Sequence, residues 1–454
     1  MNYLFISFCK RNSLVIAIFM LCFSTLFGEA WDNWRGPNYN GSNESGAALP
    51  VDFDQTKGVK WKTNLPGVSA ATPIVFKGRV FVPSVSVSGK KGQGELLAMC
   101  FDSSTGKLLW SKKAGSGYRP GQSDGFDYML HDRSNYASPS PVVGEDAVFF
   151  FYGNGDLVSY DLSGNEQWRR NLQKDYGDFC FQWTFSASPT FFKGKLYLPI
   201  LQRDEPVHGR GVNNAKSFLL CMDPKSGKTI WKHTRVSSAQ KESLESFGTI
   251  IPHDDQLLVA GGDVLSSHDP KTGNETWRWG TWNPGHKQQW WRLVPSPVVG
   301  DGIALVCAPK KAPVFAIKLN QKGSNSGSDG LRWETSQDPL LTSDVPTPLF
   351  YRGDFFILSD LRKNLSRVDP KTGKSSWSLT LPGKYKWRGS PTAGDGKIYF
   401  MNHNGMVLVV SADKGNILHQ AQMGDTYDDN TRSSIAIVSN NLFIRTNENL
   451  YCIE

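Results

Sequence analysis

The sequence predicts an all-β, eight-bladed β-propeller of four-stranded blades, closed by an N-terminal strand that completes the C-terminal blade. Three observations predict it: a turn motif that recurs along the chain, strand-like runs before each copy, and complementary fractions of a repeat at the two ends. Asp369-Pro370-Lys371-Thr372-Gly373 leads to Trp377, Asp223-Pro224-Lys225-Ser226-Gly227 to Trp231, Asp269-Pro270-Lys271-Thr272-Gly273 to Trp277, and Asp102-Ser103-Ser104-Thr105-Gly106 to Trp110. In all of these Trp stands four residues after Gly, and Asp161-Leu162-Ser163-Gly164, leading to Trp168, is one residue shorter. This is hairpin chemistry. Asp accepts backbone N–H bonds at the start of a type I turn, Pro fits the next position, and Gly takes the left-handed conformation that closes it.

Before the first blade lies a segment of different character. Lys10 and Arg11 precede an apolar run over 14–27, and Gly28-Glu29-Ala30 offers small residues at signal-peptidase spacing. The run is shorter than the ~20 residues of a spanning helix, and Met20-Leu21 before Cys22 lacks the small residue of a lipoprotein signal. The expectation is a signal peptide over 1–30, an N-terminal extension over 31–57, a propeller over 58–454, and a periplasmic or extracellular protein without a membrane span.

Each blade is expected to contribute four strands. In the first, 72–76 turns at Lys77-Gly78 into 79–82, 96–100 is the third strand and 108–110 the fourth. Period-two alternation with β-branched and aromatic residues favours strands over helices. First strands begin near Pro73, Pro141, Pro189, Ile250, Pro297, Pro348, Pro391 and Ile435. Fourth strands carry Trp110, Trp168, Trp231, Trp277, Trp333 and Trp377, with His419 in the Trp position of the seventh. Residues 434–454 supply three strands without a fourth, and 59–63, around Trp61, supply a fourth without its predecessors. Pairing them closes the ring and leaves no unpaired edge.

The formal charge is +8 with Lys and Arg scattered among acidic residues, which predicts solvated surface and no nucleic-acid partner. Cys100, Cys180, Cys221, Cys307 and Cys452 follow the leader with no CxxC or CxxCH among them. Three of them stand two residues before a turn Asp or before Glu454, which marks them as small strand residues rather than a disulfide framework. The histidines show no metal spacing, and GxSxG, HExxH and P-loop patterns are absent.

Connections from one blade's outer strand to the next blade's inner strand gather on one face around the channel. They hold Arg133 with Asp132, Trp183, Trp290 with Arg292, Trp387 with Arg388, and Arg432 with Asp428. The fifth repeat carries a flexible insertion over 322–330. Aromatic residues and Arg are common anchors at interfaces and in sugar stacking, so the expected ligand-binding set is Arg133, Trp183, Trp290, Arg292, Trp387, Arg388 and Arg432.

The repeat resembles that of the pyrroloquinoline-quinone-like, quinoprotein-type eight-bladed propellers, in which a small residue, Asp two later, Thr-Gly, and Trp four after Gly recur. Cys100/Asp102/Thr105/Gly106/Trp110 and Ser267/Asp269/Thr272/Gly273/Trp277 match it, Arg367 replaces the small residue before Asp369, and the fifth repeat has Lys318 in the Asp position. The opening Trp31-Asp32-Asn33-Trp34-Arg35-Gly36-Pro37 is similar to the segment that precedes such domains in exported members. The resemblance implies two kinds of function. Quinoprotein alcohol dehydrogenases hold the quinone on a Trp floor beneath an adjacent-cysteine disulfide, with a calcium or lanthanide ion and an Asp base. Trp183, Trp290 and Trp387 are candidates for such a floor and Asp132 or Asp428 for the acid, but no Cys-Cys pair occurs here. The other kind is a propeller lipoprotein of outer-membrane assembly that binds its partner through face loops. The leading expectation is a noncatalytic exported scaffold, a monomer without a cofactor, binding a protein, peptide or carbohydrate at the loop face. The alternative is an oxidoreductase with pyrroloquinoline quinone and Ca2+ in the channel.

Overall fold

The computed structural model describes residues 30–44, 46–86, 93–118, 135–207, 209–425 and 430–454. Eight antiparallel sheets are numbered here by their inner strands: Ile74–Phe76, Val142–Gly144, Thr190–Phe192, Ile251–His253, Val298–Gly300, Leu349–Tyr351, Thr392–Gly394 and Ala436–Val438 for blades 1 to 8. The eighth blade takes its outer strand, Val59–Asn64, from the N-terminal side of the chain, paired antiparallel with Asn449–Ile453. The fold is the eight-bladed propeller the repeat predicts. Second and third strands, such as Lys195–Ile200 and Phe218–Met222, are almost wholly buried because sheets cover both faces, whereas outer strands such as Thr229–Thr234 alternate. Among the described residues no helix is long and apolar enough to cross a membrane.

The docking motif works as local chemistry predicts and then reaches across blades. Asp223 Oδ1 accepts from the N–H groups of Lys225 at 3.1 Å and Ser226 at 2.8 Å, and Gly227 has φ +69°. A register shift beside the outer strand puts the Trp opposite a small residue of the third strand in three blades: Cys100 faces Trp110, Cys221 faces Trp231, and Cys452 faces Trp61. These three cysteines are therefore small so that an indole fits, and all five cysteines among the described residues are buried and free of disulfides. The indole then lies on the turn glycine of the next blade and donates to that turn. Trp61 Nε1 reaches Ser103 O at 2.9 Å, Trp168 reaches Pro224 O at 2.8 Å, and Trp333 reaches Pro370 O at 2.8 Å. A Cβ on Gly227 would stand 2.6 Å from the Trp168 ring, so only glycine permits this approach.

Two junctions depart from the pattern. Blade 5 has Lys318 where the turn Asp belongs, so Trp277 donates to Gln256 Oε1 of its own blade at 2.9 Å. The insertion expected to be flexible occupies the gap: Gly323–Asn325 forms a parallel fifth strand against Glu275–Gly280, and Trp279 Nε1 donates to Gly327 O at 3.3 Å. At the junction of blades 7 and 8, His419 Nε2 bonds Phe53 O at 2.7 Å. Asp54, whose Oδ1 accepts from Thr56 and Lys57 N–H at 2.7 Å, rebuilds the missing turn from the N-terminal extension.

The extension then seals one end of the channel. Trp31 pairs with Val75 of blade 1, Asp32 O accepts from Val143 N of blade 2, and Tyr39 Oη donates to Phe191 O of blade 3 at 2.6 Å. Arg35 reaches Pro348 O of blade 6 at 2.9 Å and Pro391 O of blade 7 at 3.0 Å, and Asn43 donates to Ile437 O of blade 8.

Candidate functional site

The residue before the proline or isoleucine that opens each inner strand is Ser or Thr in all eight blades. These hydroxyls form a belt. Thr72 N donates to Ser140 Oγ, Ser140 N to Ser188 Oγ, Ser188 N to Thr249 Oγ1, Thr249 N to Ser296 Oγ, Ser296 N to Thr347 Oγ1, and Thr347 N to Ser390 Oγ, all at 2.8–3.0 Å. The side chain of one blade thus satisfies the backbone of the previous one where no ladder bond is available. The belt ties blades 1 to 7 in succession, and six of its eight residues line a cavity of about 220 Å³, open on the side away from the N-terminal seal.

Two residues before each belt hydroxyl stands a ring that gives the mouth its character: Ala70, Ser138, Ser186, Phe247, Val294, Val345, Arg388 and Arg432, all of them lining the cavity. Arg292 and Trp183 extend into the same space from the connections before blades 5 and 3. In an eight-membered ring blades 3 and 4 lie opposite blades 7 and 8. Trp183 and Phe247 therefore face Arg388 and Arg432 across the mouth. From below, Trp34 of the N-terminal segment closes the space.

Two of the arginines are held by carboxylates behind them. Arg292 Nη1 and Nη2 each stand 3.3 Å from the Asp344 carboxylate, and Arg388 Nε donates to Asp360 Oδ2 at 3.0 Å. Asp360 also accepts from Asp344 N at 3.1 Å, and Asp344 from Lys310 N at 2.7 Å. Burial raises the Asp360 carboxyl above its ordinary range, and Arg388 opposes that rise. Arg432 donates to Asn430 Oδ1 and lies beside His403. Trp183 Nε1 points to Glu242 Oε1 at 3.4 Å, and the preceding Gln182 N donates to Glu245, whose carboxyl burial pushes up to about 7 although Arg203 pairs with it.

Of the residues singled out in the sequence, Trp183, Arg292, Arg388 and Arg432 come together at the mouth. Trp290 does not: it is 51% exposed on the loop face, beside Arg203 and Lys241 and away from the cavity. Trp387 departs from the expectation of a ligand contact or channel floor. Its side chain is 0% exposed, its ring packs on Phe400 at 5.3 Å, and its Nε1 donates to Pro382 O. Arg133, Asp132 and Asp428 lie outside the described residues. Sequence reasoning missed Trp34, Phe247 and the hydroxyl belt, whose signal was the Ser/Thr recurring before each first strand.

A family model described as outer membrane protein assembly factor BamB matches residues 45–197 and 215–454. The chain belongs to this family. Among curated relatives of this BamB-family chain, the polyvinylalcohol dehydrogenase of Pseudomonas sp is 25% identical over 253 residues, covering 54% of the chain and 35% of that protein. The match thus spans about a third of the relative's length. Quinohemoprotein alcohol dehydrogenase from Comamonas testosteroni superposes with a TM-score of 0.64 at 13% identity, covering 96% of this chain and 82% of the other. BamB from Moraxella catarrhalis gives 0.56 at 12% identity, covering 86% and 95%. At these identities the superpositions show the fold alone. The BamB-family propeller described here shares its fold with solved quinoprotein dehydrogenases.

Proposed function

We propose that the channel mouth binds a planar polycarboxylate of the pyrroloquinoline-quinone class, with its acidic groups on Arg292, Arg388 and Arg432 and its ring system toward Trp183 and Phe247. This places the chain nearer the quinoprotein alternative than the purely noncatalytic scaffold. The observation that carries the reading is one rim that brings three arginines together with Trp183 and Phe247, because guanidinium forks match carboxylates and aromatic faces take flat rings. Relatedness to dehydrogenases of polyvinyl alcohol and other alcohols supports the same ligand class.

A divalent ion fits the residues less well. Among the described residues no three His, Cys, Asp or Glu side chains are grouped to hold one. Asp344 and Asp360, the carboxylates behind the rim arginines, are spent on those arginines and on backbone N–H groups. The reading therefore stops at binding and orientation. The arginines would fix the acid groups, the belt would supply hydroxyls beneath, and Trp34 would close the space below.

Calorimetric and absorption titration of the protein with pyrroloquinoline quinone, with and without calcium, tests this. Binding on the order of micromolar that weakens about tenfold in Arg432→Ala and is insensitive to calcium is the expected outcome. Absence of binding, or binding unaffected by Arg432→Ala and Trp183→Ala, removes the proposal. A second reading, protein or peptide docking on the loop face of an exported protein, is favoured by Trp290, an exposed indole flanked by Arg203 and Lys241. Aromatic and Arg anchors of this kind dominate interfaces. Its check is a pull-down from an envelope extract with wild-type and Trp290→Ala protein, and equal recovery by both ends it.

A further inference from the structure

Outside the channel, three segments of the blade 4 region bring together a serine, a histidine and an aspartate in series. Ser238 comes from the connection entering blade 4, Asp263 from the turn between its second and third strands, and His286 from the connection leaving it. Ser238 Oγ stands 2.8 Å from His286 Nε2, and His286 Nδ1 stands 3.2 Å from Asp263 Oδ2. The two ring nitrogens are thus engaged at opposite ends, one by the hydroxyl and one by the carboxylate.

Burial is graded along the series. Ser238 is exposed, the His286 side chain is 27% exposed, and the Asp263 side chain is 0% exposed. The aspartate is also held from behind, since Asn283 Nδ2 donates to the same Oδ2 at 2.8 Å and is itself braced by Gln288 O at 2.8 Å. Asp263 and His286 both lie in the left-handed region, at φ +65° and +49°, where side-chain-bearing residues are uncommon. A nucleophile open to solvent, a base within its reach and a buried acid that orients the base is the arrangement by which serine is activated on unrelated folds.

We propose that Ser238, His286 and Asp263 form a nucleophilic site that cleaves small, activated carboxylic esters. Ser238 Oγ attacks the ester carbonyl carbon as its proton passes to His286 Nε2. The carbonyl–alkoxy bond then breaks, and His286 returns the proton to the departing alcohol, leaving an acyl group on Ser238. Water repeats the sequence, with His286 taking and returning its proton, and releases the carboxylic acid. Asp263 keeps the imidazole proton on Nδ1 and stabilises the imidazolium. The open position of Ser238 suits small esters with good leaving groups, and the site shares no residue with the channel mouth.

The test is labelling of the full-length chain with a fluorophosphonate, followed by peptide mapping and by hydrolysis of p-nitrophenyl acetate. Label is expected on Ser238, to be abolished in Ser238→Ala, and to form on the order of 10²-fold more slowly in His286→Ala. Ester hydrolysis should fall in parallel, with an initial burst in the wild type only. Ser238 is exposed, so its alanine variant keeps the fold and its circular dichroism spectrum. Label spread over several serines, or a labelling rate unchanged in folded His286→Ala, overturns the proposal and leaves the three residues as a loop brace.

Discussion

The two ends of the channel use the same side chain in opposite ways. At the sealed end Arg35 is fully buried and gives its guanidinium only to backbone carbonyls, those of Asn40, Pro348 and Pro391. Burial there lowers its pKa from the usual arginine range to about 9. At the open end Arg292 and Arg388 lie against carboxylates, and they and Arg432 keep part of their surface toward the cavity. A guanidinium buried with its Nη groups on carbonyls is a fastener, because solvent and ligand are kept from it. One backed by a carboxylate and open in front is held in place with donors to spare. Environment, not residue type, separates structure from binding here.

The comparison breaks most sharply at the seal. Arg35→Ala should cost about 4–5 kcal/mol, since charged hydrogen bonds contribute about 1.5–3 kcal/mol each and the carbonyls of Pro348 and Pro391 would be left buried. Urea unfolding measures it, and a loss below about 1 kcal/mol would mean that the segment is not a fastener. Arg388→Ala should cost less, about 3 kcal/mol, because it strands the buried Asp360 carboxylate. That loss has a pH signature. Without Arg388 the Asp360 carboxyl titrates further above its unfolded value, so the folded state holds a proton that the unfolded state releases. Stability then falls as pH rises through the folded pKa. The deficit should be larger at pH 8 than at pH 5, and Asp360→Asn in the same chain should remove the difference.

Arg432→Ala sharpens the contrast from the other side. Arg432 is half-buried at the rim, where it donates to Asn430 and lies beside His403, and unfolding should shift by less than about 1 kcal/mol. Quinone affinity should fall about tenfold, the ~1.4 kcal/mol of one charge-assisted hydrogen bond. A large stability loss with unchanged affinity would reverse the assignment of mouth and seal.

How far this was legible follows from period and phase. The turn motif recurs with fixed chemistry, so eight blades and their closure could be read directly, whereas the docking of each Trp on the next blade's turn could not. Where the motif fails, at Lys318, the sequence marked the place but not the remedy. The strand Gly323–Asn325 is polar and pairs on the neighbouring blade, a choice that only the vacant edge dictates. At the site the adjacent residues Trp387 and Arg388 illustrate the limit. The connection is extended there, bridging Asn402, and neighbouring side chains in extended backbone face opposite ways. Both were candidates, but phase sends the indole into the core and the guanidinium into the channel. Phe247 escaped notice because its significance lies in its place two residues before a belt hydroxyl, which an isolated Phe does not advertise.

The smallest expected effect separates the mouth from the face that surrounds it. Trp290 is exposed and meets Arg203 and Lys241 only through cation–π contacts at 5.8 and 5.4 Å. Exposed contacts of this kind are worth about 0.5–1 kcal/mol. Trp290→Ala should therefore leave stability within about 1 kcal/mol of wild type and quinone affinity unchanged, because the residue does not line the cavity. If it instead weakened quinone binding as strongly as Arg432→Ala, the ligand would have to reach beyond the mouth onto the loop face. The face and the channel would then be one surface, and the two readings of function would collapse into a single site.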